Sequence, residues 1–157
     1  MKRRAMLLTL PWAAPLLAKP ALRGAAVAWP EGIRLVDGSA WLVPAGHAAV
    51  VVFWSLDCSY CERHNAHVEK LHRAAAGKPL QVLGVVRGGD EASVQRRMRA
   101  RGWTFPATLA AGPLSEALTA RRSVPMTVTV DRQGRLREQI PGEMFEADVL
   151  DLLKLAS

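Results

Sequence analysis

The chain is poor in the residues that usually declare a function. It has two cysteines, one tyrosine and three phenylalanines in 157 residues, too few cysteines for a disulfide framework or a four-cysteine zinc site. No apolar run reaches the roughly 20 residues that a membrane-spanning helix needs. From Trp29 onward there is no internal repeat and no low-complexity stretch, so solenoid arrays and linker-rich designs are excluded. Acidic residues are missing from the first 28 positions, which hold Lys2, Arg3, Arg4, Lys19 and Arg23, five of the 21 basic residues. That imbalance inflates the formal net charge of +7, because from Trp29 on 16 basic residues face 14 acidic ones, a net of +2. Net charge therefore gives no support to nucleic-acid binding.

The basic, acid-free start reads as an address. Lys2 to Arg4 form a basic region, Ala5 to Ala18 are mostly apolar, and Ala26-Val27-Ala28 offers a small-residue cleavage site before Trp29. Residues 1–28 are thus expected to be a signal peptide, with cleavage nearer Ala18 or retention as an anchor as alternatives. Arg3-Arg4 also fits a twin-arginine pattern. The protein is expected outside the cytoplasm, in a periplasm or an equivalent space. Residues 29–157 are enough for one single-core domain and no more.

Within that domain, Ile33 to Val36 and Ser39 to Val43 flank Asp37-Gly38, which predicts a β-hairpin. Ala48 to Trp54 is continuously apolar and valine-rich, as is Leu80 to Val86, the pattern of central strands covered on both faces. Cys58 to Ala76 reads as a helix stopped by Gly77 and Pro79, and Asp90 caps another that runs to Arg101 and ends at Gly102. A short helix over Leu114 to Ala120 precedes Pro125. Met126 to Val130 and Arg135 to Gln139 form an antiparallel pair around Gln133-Gly134. Phe145, Val149, Leu152 and Leu153 share one face of a closing helix. Strands and helices in this order give an α/β fold with a central mixed sheet between helix layers.

The only two cysteines, Cys58 and Cys61, stand two residues apart at the junction of a buried strand and a helix. Helix N-termini present unpaired N–H groups and a partial positive charge, which stabilise a thiolate. The spacing points to thiol–disulfide exchange; a purely structural bridge closing so small a loop would remove little unfolded-state entropy. The cysteine pair itself carries the electrons, so no bound cofactor is implied. The stretch also reads C-x-x-C-x-x-H-x-x-H through His64 and His67, and Cys58, Cys61 and His64 could bind copper or zinc. His67 lies about 120° around the helix from Cys61 and cannot join them. Glu62 stands where covalent haem attachment would need histidine. Arg87, Arg96, Arg97, Arg99 and Arg101 are expected to form a solvated basic face, with docking of an acidic partner as the alternative. Met98, Met126 and Met144 read as core.

The chain resembles the thioredoxin-like superfamily, and within it the extracytoplasmic TlpA/ResA-type thiol:disulfide oxidoreductases. The residues that carry the likeness are Val51 to Trp54 before the cysteine pair, Leu80 to Val86, Phe105-Pro106, Val124 to Thr127, Asp131 to Gly134 and Gly142. The resemblance implies a three-layer sandwich with the N-terminal hairpin as an extension. It implies that Cys58 is the exposed nucleophile and Cys61 the buried resolving thiol, that Pro125 is a cis-proline against the pair, and that Val124 presents its backbone to a bound partner. Trp54 matches an aromatic on the approach to the motif, with core filling as its other role. Expected partners are substrate proteins with cysteines or disulfides and a membrane electron donor, and the protein is expected to be a monomer. The expected direction is reduction, in cytochrome c or copper-site maturation, with disulfide oxidase or isomerase activity as the alternative.

Four positions depart from those relatives. Asp57 replaces the tryptophan common before the first cysteine and opposes thiolate formation. Tyr60 before Cys61 is similar to the CxYC motif of DsbC/DsbG-type isomerases. Ala66 replaces the proline usual in the helix. His64 stands where an acid is common, about one turn from Cys61. It is either a proton relay for the pair or a solvated surface histidine.

Overall fold

The computed structural model describes residues 21–157; of the expected signal peptide, residues 1–20 lie outside them. The elements are β1 (Ala48–Trp54), α1 (Ser59–Ala74), β2 (Leu80–Val86), α2 (Glu91–Arg101), β3 (Ala107–Thr108), α3 (Ala111–Leu118), β4 (Met126–Val130), β5 (Leu136–Pro141) and α4 (Glu146–Asp151), which continues as a 3-10 turn over Leu152–Ala156. The strands make one mixed sheet in the order β3-β2-β1-β4-β5. β1 pairs parallel with β2 and antiparallel with β4. This is the α/β sandwich expected from the order of elements.

Strand alternation divides the core in two. Ala48, Val50, Val52 and Trp54 point to a cluster built with Cys61, Val68 and Leu71 of α1, Val94 and Met98 of α2, and Val149 of α4. Ala49, Val51 and Phe53 point the other way, to Leu114 and Leu118 of α3 and to Ile33 and Trp41. A strand buried on both faces has no polar positions to spare, which is why its sequence shows no alternation. Gly84 of β2 faces the first cluster, and a Cβ there would lie 2.8 Å from the Phe105 ring and 2.9 Å from Trp54 Nε1. The close approach is what requires glycine at that position.

Several expectations need correction. The N-terminal hairpin shrinks to a single antiparallel bridge between Arg34 and Ala40. Asp37 turns inward on its own loop and accepts from the Ser39 N–H at 2.9 Å, a local bond that competes with strand pairing. β3 is a two-residue edge strand that no pattern in the sequence announced. α3 begins three residues before the expected Leu114. Phe145 is not on the buried face of the last helix; it is the N-cap residue of α4 and 83% exposed. Residues ahead of Trp29 join the fold: Ala26 bridges Arg135, and Gly24 and Val27 donate to the carbonyls of Leu136 and Gly134 at 2.7 and 2.8 Å.

Candidate active site

β1 ends at Trp54, and the chain turns through Ser55 to Asp57 into α1, whose N-cap residue is Cys58. An N-cap side chain normally accepts from the amides of the first turn. Here the acceptor is sulfur: Cys58 Sγ takes the Cys61 N–H at 3.1 Å. Cys58 and Cys61 are joined by a disulfide with Cα atoms 5.2 Å apart. Cys58 is partly exposed, whereas Cys61 is fully buried in the core cluster. The pair is thus asymmetric, with one sulfur open to a partner and one held beneath it.

The antiparallel pairing of β1 with β4 brings the start of β4 to the same end of the sheet. Val124 and Pro125, joined by a cis peptide bond, lie there just before Met126. The Val124 carbonyl oxygen is 4.0 Å from Cys58 Sγ. Pro125 is buried and Val124 half-buried. Tyr60, 60% exposed, stands beside the pair with the Arg63 guanidinium 5.0 Å over its ring. Arg63 in turn makes a bidentate pair with Glu143, both contacts at 2.8 Å. The hydrogen bond from Arg63 holds the Glu143 carboxyl below its ordinary range. Trp54 takes no part in this surface: it is 1% exposed and packs edge-on against Trp103 at 5.7 Å. Asp57 is exposed next to Cys58.

His64 is neither on a solvated face nor free to turn. It is fully buried, its Nδ1 accepts the Met144 N–H at 3.2 Å, and its Nε2 lies 3.0 Å from Thr127 Oγ1. An Nδ1 that accepts must be unprotonated, so Nε2 carries the hydrogen and donates to Thr127. Burial pushes the imidazole pKa down to about 4, with His67 adding to the shift. The ring is therefore neutral near pH 7 and clamps α1 to β4 and to the turn before α4.

The metal alternative meets the same geometry. Both ring nitrogens of His64 are engaged by protein groups, and among the described residues no three of His, Cys, Asp and Glu gather as a ligand set. Two of the four arginines of α2 are also taken: Arg97 and Arg101 both bind Glu62 of α1, at 2.6 and 2.7 Å, whereas Arg96 and Arg99 are exposed without an acid partner among the described residues. Sequence reasoning missed the Arg63–Glu143 pair, since the two residues are 80 positions apart. It also missed Asn65, fully buried one turn below Cys61 with neither amide atom hydrogen-bonded.

Comparison with known proteins gives a consistent likeness. The thiol-disulfide oxidoreductase ResA of Halalkalibacterium halodurans is 26% identical over 110 residues, which is 70% of this chain and 62% of that protein. The chain thus spans less than two thirds of the curated relative's length. Among solved structures, a thioredoxin family thiol:disulfide interchange protein of Chlorobium tepidum matches with a TM-score of 0.72 at 21% identity, covering 91% of this chain and 99% of that one. The exposed lipoprotein thioredoxin of Streptococcus pneumoniae matches with a TM-score of 0.66 at 26% identity, covering 78% and 96%. The fold is thioredoxin-like. Residues 34–139 match the AhpC/TSA family, two thirds of the chain, and the protein belongs to that family.

Proposed function

We propose that the protein is an exported thiol–disulfide oxidoreductase that acts on protein substrates through Cys58 and Cys61. The observation that carries this reading is the asymmetric pair at the N-terminus of α1, with Cys58 partly exposed beside the Val124 carbonyl and Cys61 buried beneath it. In the reducing direction Cys58 thiolate attacks one sulfur of a substrate disulfide. A Cys58–substrate bond forms and the substrate's other sulfur leaves as thiolate. Cys61 thiolate then attacks Cys58 Sγ, the intramolecular disulfide forms, and the first substrate sulfur leaves as thiolate. Two electrons pass to the substrate, whose two thiolates take up the protons that Cys58 and Cys61 gave up.

The other site residues take supporting roles in this reading. The backbone of Val124, ahead of Pro125, lies where an extended substrate segment would pair, and Tyr60 offers an exposed aromatic surface beside it. The Cys61 amide, already 3.1 Å from Cys58 Sγ, would stabilise a thiolate there, against the opposing charge of Asp57. His64, neutral and bonded at both nitrogens, suits a positioning role under Cys61 better than proton relay. The likeness to ResA supports the reductase direction, fed by a membrane electron donor and serving cytochrome c or copper-site maturation.

The test is trapping. A Cys61→Ser variant should accumulate covalent adducts on Cys58 that dithiothreitol releases, and apocytochromes or copper-site apoproteins among them would support the maturation role. Complete absence of adducts would overturn the exchange mechanism. Equilibration with glutathione fixes the direction: a potential near that of thioredoxin, about −270 mV, fits a reductase, and one near about −120 mV fits an oxidase.

A further inference from the structure

Three arginines gather at the end of the sheet that holds Cys58. Arg87 follows β2 directly; its N–H donates to the Trp54 carbonyl at 2.8 Å, and its guanidinium lies 4.6 Å over the Phe53 ring. Its Nη2 donates to the Arg121 carbonyl at 3.1 Å, which ties the end of β2 to the loop before β4. Arg121 and Arg122 are both exposed, and their loop is held in place: Arg121 N–H bonds Thr119 Oγ1 at 3.1 Å, and Thr119 bonds Gln139 at 2.8 Å. Two residues after Arg122 comes Val124, whose carbonyl is 4.0 Å from Cys58 Sγ. The loop that carries Arg121 and Arg122 thus leads within two residues to the carbonyl beside the reacting sulfur.

Among the described residues Arg87, Arg121 and Arg122 have no acid partners, a lack they share with Arg96 and Arg99 of α2, but they lie at the end of the sheet that holds Cys58. Arg63, Arg73, Arg97, Arg101 and Arg137 each pair with a carboxylate within 4.0 Å. Among the described residues none is so placed for Arg87, Arg121 or Arg122, and the Nε of Arg87 is buried with no hydrogen-bond partner. Arg87 also gives up part of its hydration and faces Arg122, an arrangement that costs free energy until negative charge arrives. The nearest acid in sequence to the reactive sulfur, Asp57, lies on the other side of Cys58 in the chain and pairs with none of the three.

We propose that Arg87, Arg121 and Arg122 form a docking surface for an acidic segment of the substrate protein, flanking the cysteine that bonds to Cys58. The inference rests on the exchange reading above and adds to it the chemistry of the partner. Complementary charge raises the rate of encounter and fixes register, and it discriminates against basic segments.

The test uses three synthetic disulfide-linked peptides of one length, with the cysteines flanked by glutamate, glutamine or lysine, exchanged against the reduced protein. The glutamate peptide is expected to react roughly tenfold faster than the glutamine peptide at low salt, and the lysine peptide more slowly than either. The difference should shrink as the screening length falls from about 10 Å at 0.1 M salt to about 3 Å at 1 M. An Arg121→Glu/Arg122→Glu variant should invert the order. An Arg96→Glu/Arg99→Glu variant, with the same change in net charge on the exposed side of α2, should keep it. Equal rates for all three peptides would overturn the inference while leaving exchange intact. Retained preference in the Arg121→Glu/Arg122→Glu variant would also overturn it. Failure of every peptide to react would remove the exchange reading, and the inference with it.

Discussion

At the scale of single residues, His64 shows how burial decides chemistry. A histidine one turn from a reactive cysteine invites a relay role, yet this ring is locked between the Met144 amide and Thr127 and titrates near about 4. Because the folded pKa lies below the ordinary 6.5, the unfolded chain binds more protons in the window between them. Stability is full above pH 6.5 and is lost as pH falls toward 4, by at most about 3 kcal/mol from this residue. His72 is shifted down by burial as well and adds a slope of the same sign. We expect a His64→Gln variant to flatten the stability profile between pH 4 and 6.5, measured by denaturant unfolding. Parallel profiles for the two proteins would remove His64 as the source. The sequence could not distinguish these roles, since a buried and a solvated histidine occupy the same helical period and differ only in what β4 and the turn at Met144 bring to them.

At the scale of elements, α1 is tied to its surroundings by charge as well as by its apolar face. Glu69, 6% exposed, would be pushed up by burial, but Arg73, Thr104 and the Phe105 amide outweigh that and hold its pKa low. Its carboxylate takes the Thr104 N–H at 2.7 Å and the Phe105 N–H at 3.1 Å. Those bonds fix the loop from α2 to β3, and with it the stacked Trp103 and Phe105 that cover Trp54. A Glu69→Ala change strands buried backbone donors and should destabilise the oxidised protein by roughly 2–4 kcal/mol. A denaturant midpoint close to that of the parent would contradict this. The same element was largely legible beforehand. The breakers Gly77 and Pro79 place its C-terminal end within two residues of the observed Ala74, and its start falls within one residue of Ser59, because helix stop signals are written in local sequence. β3 was not legible, since a two-residue edge strand owes its pairing to β2 and not to its own composition.

At the scale of the whole molecule, the sheet's centre and its β5 edge are legible in the sequence, and the β3 edge and the segment beside β5 are not. β1, β2 and β4 announce themselves through apolar runs and alternation, whereas residues 21–28 carry no strand signal and their sequence points only to an export address. In the folded chain Gly24, Ala25 and Val27 bond to Gly134 and Leu136, beside the outer edge of β5, and Trp29 packs edge-on against Trp41 at 5.7 Å. A chain that begins at Trp29 gives up those bonds and exposes more of the β5 edge. It should melt roughly 5 °C or more below a chain that begins at Ala21. Equal melting temperatures would show that these residues add nothing to the fold.

The sulfur that caps α1 also links two equilibria that are usually measured apart. Folding and oxidation form one closed thermodynamic cycle through Cys58. The difference in unfolding free energy between the dithiol and disulfide forms must therefore equal the shift in the pair's potential between folded and unfolded chain, about 1.4 kcal/mol for each 30 mV. If the reduced protein unfolds at higher temperature than the oxidised one, the fold is making the pair a better electron acceptor; the reverse order means a better donor. A pair of melting curves thus reports the sign of the redox bias without any substrate.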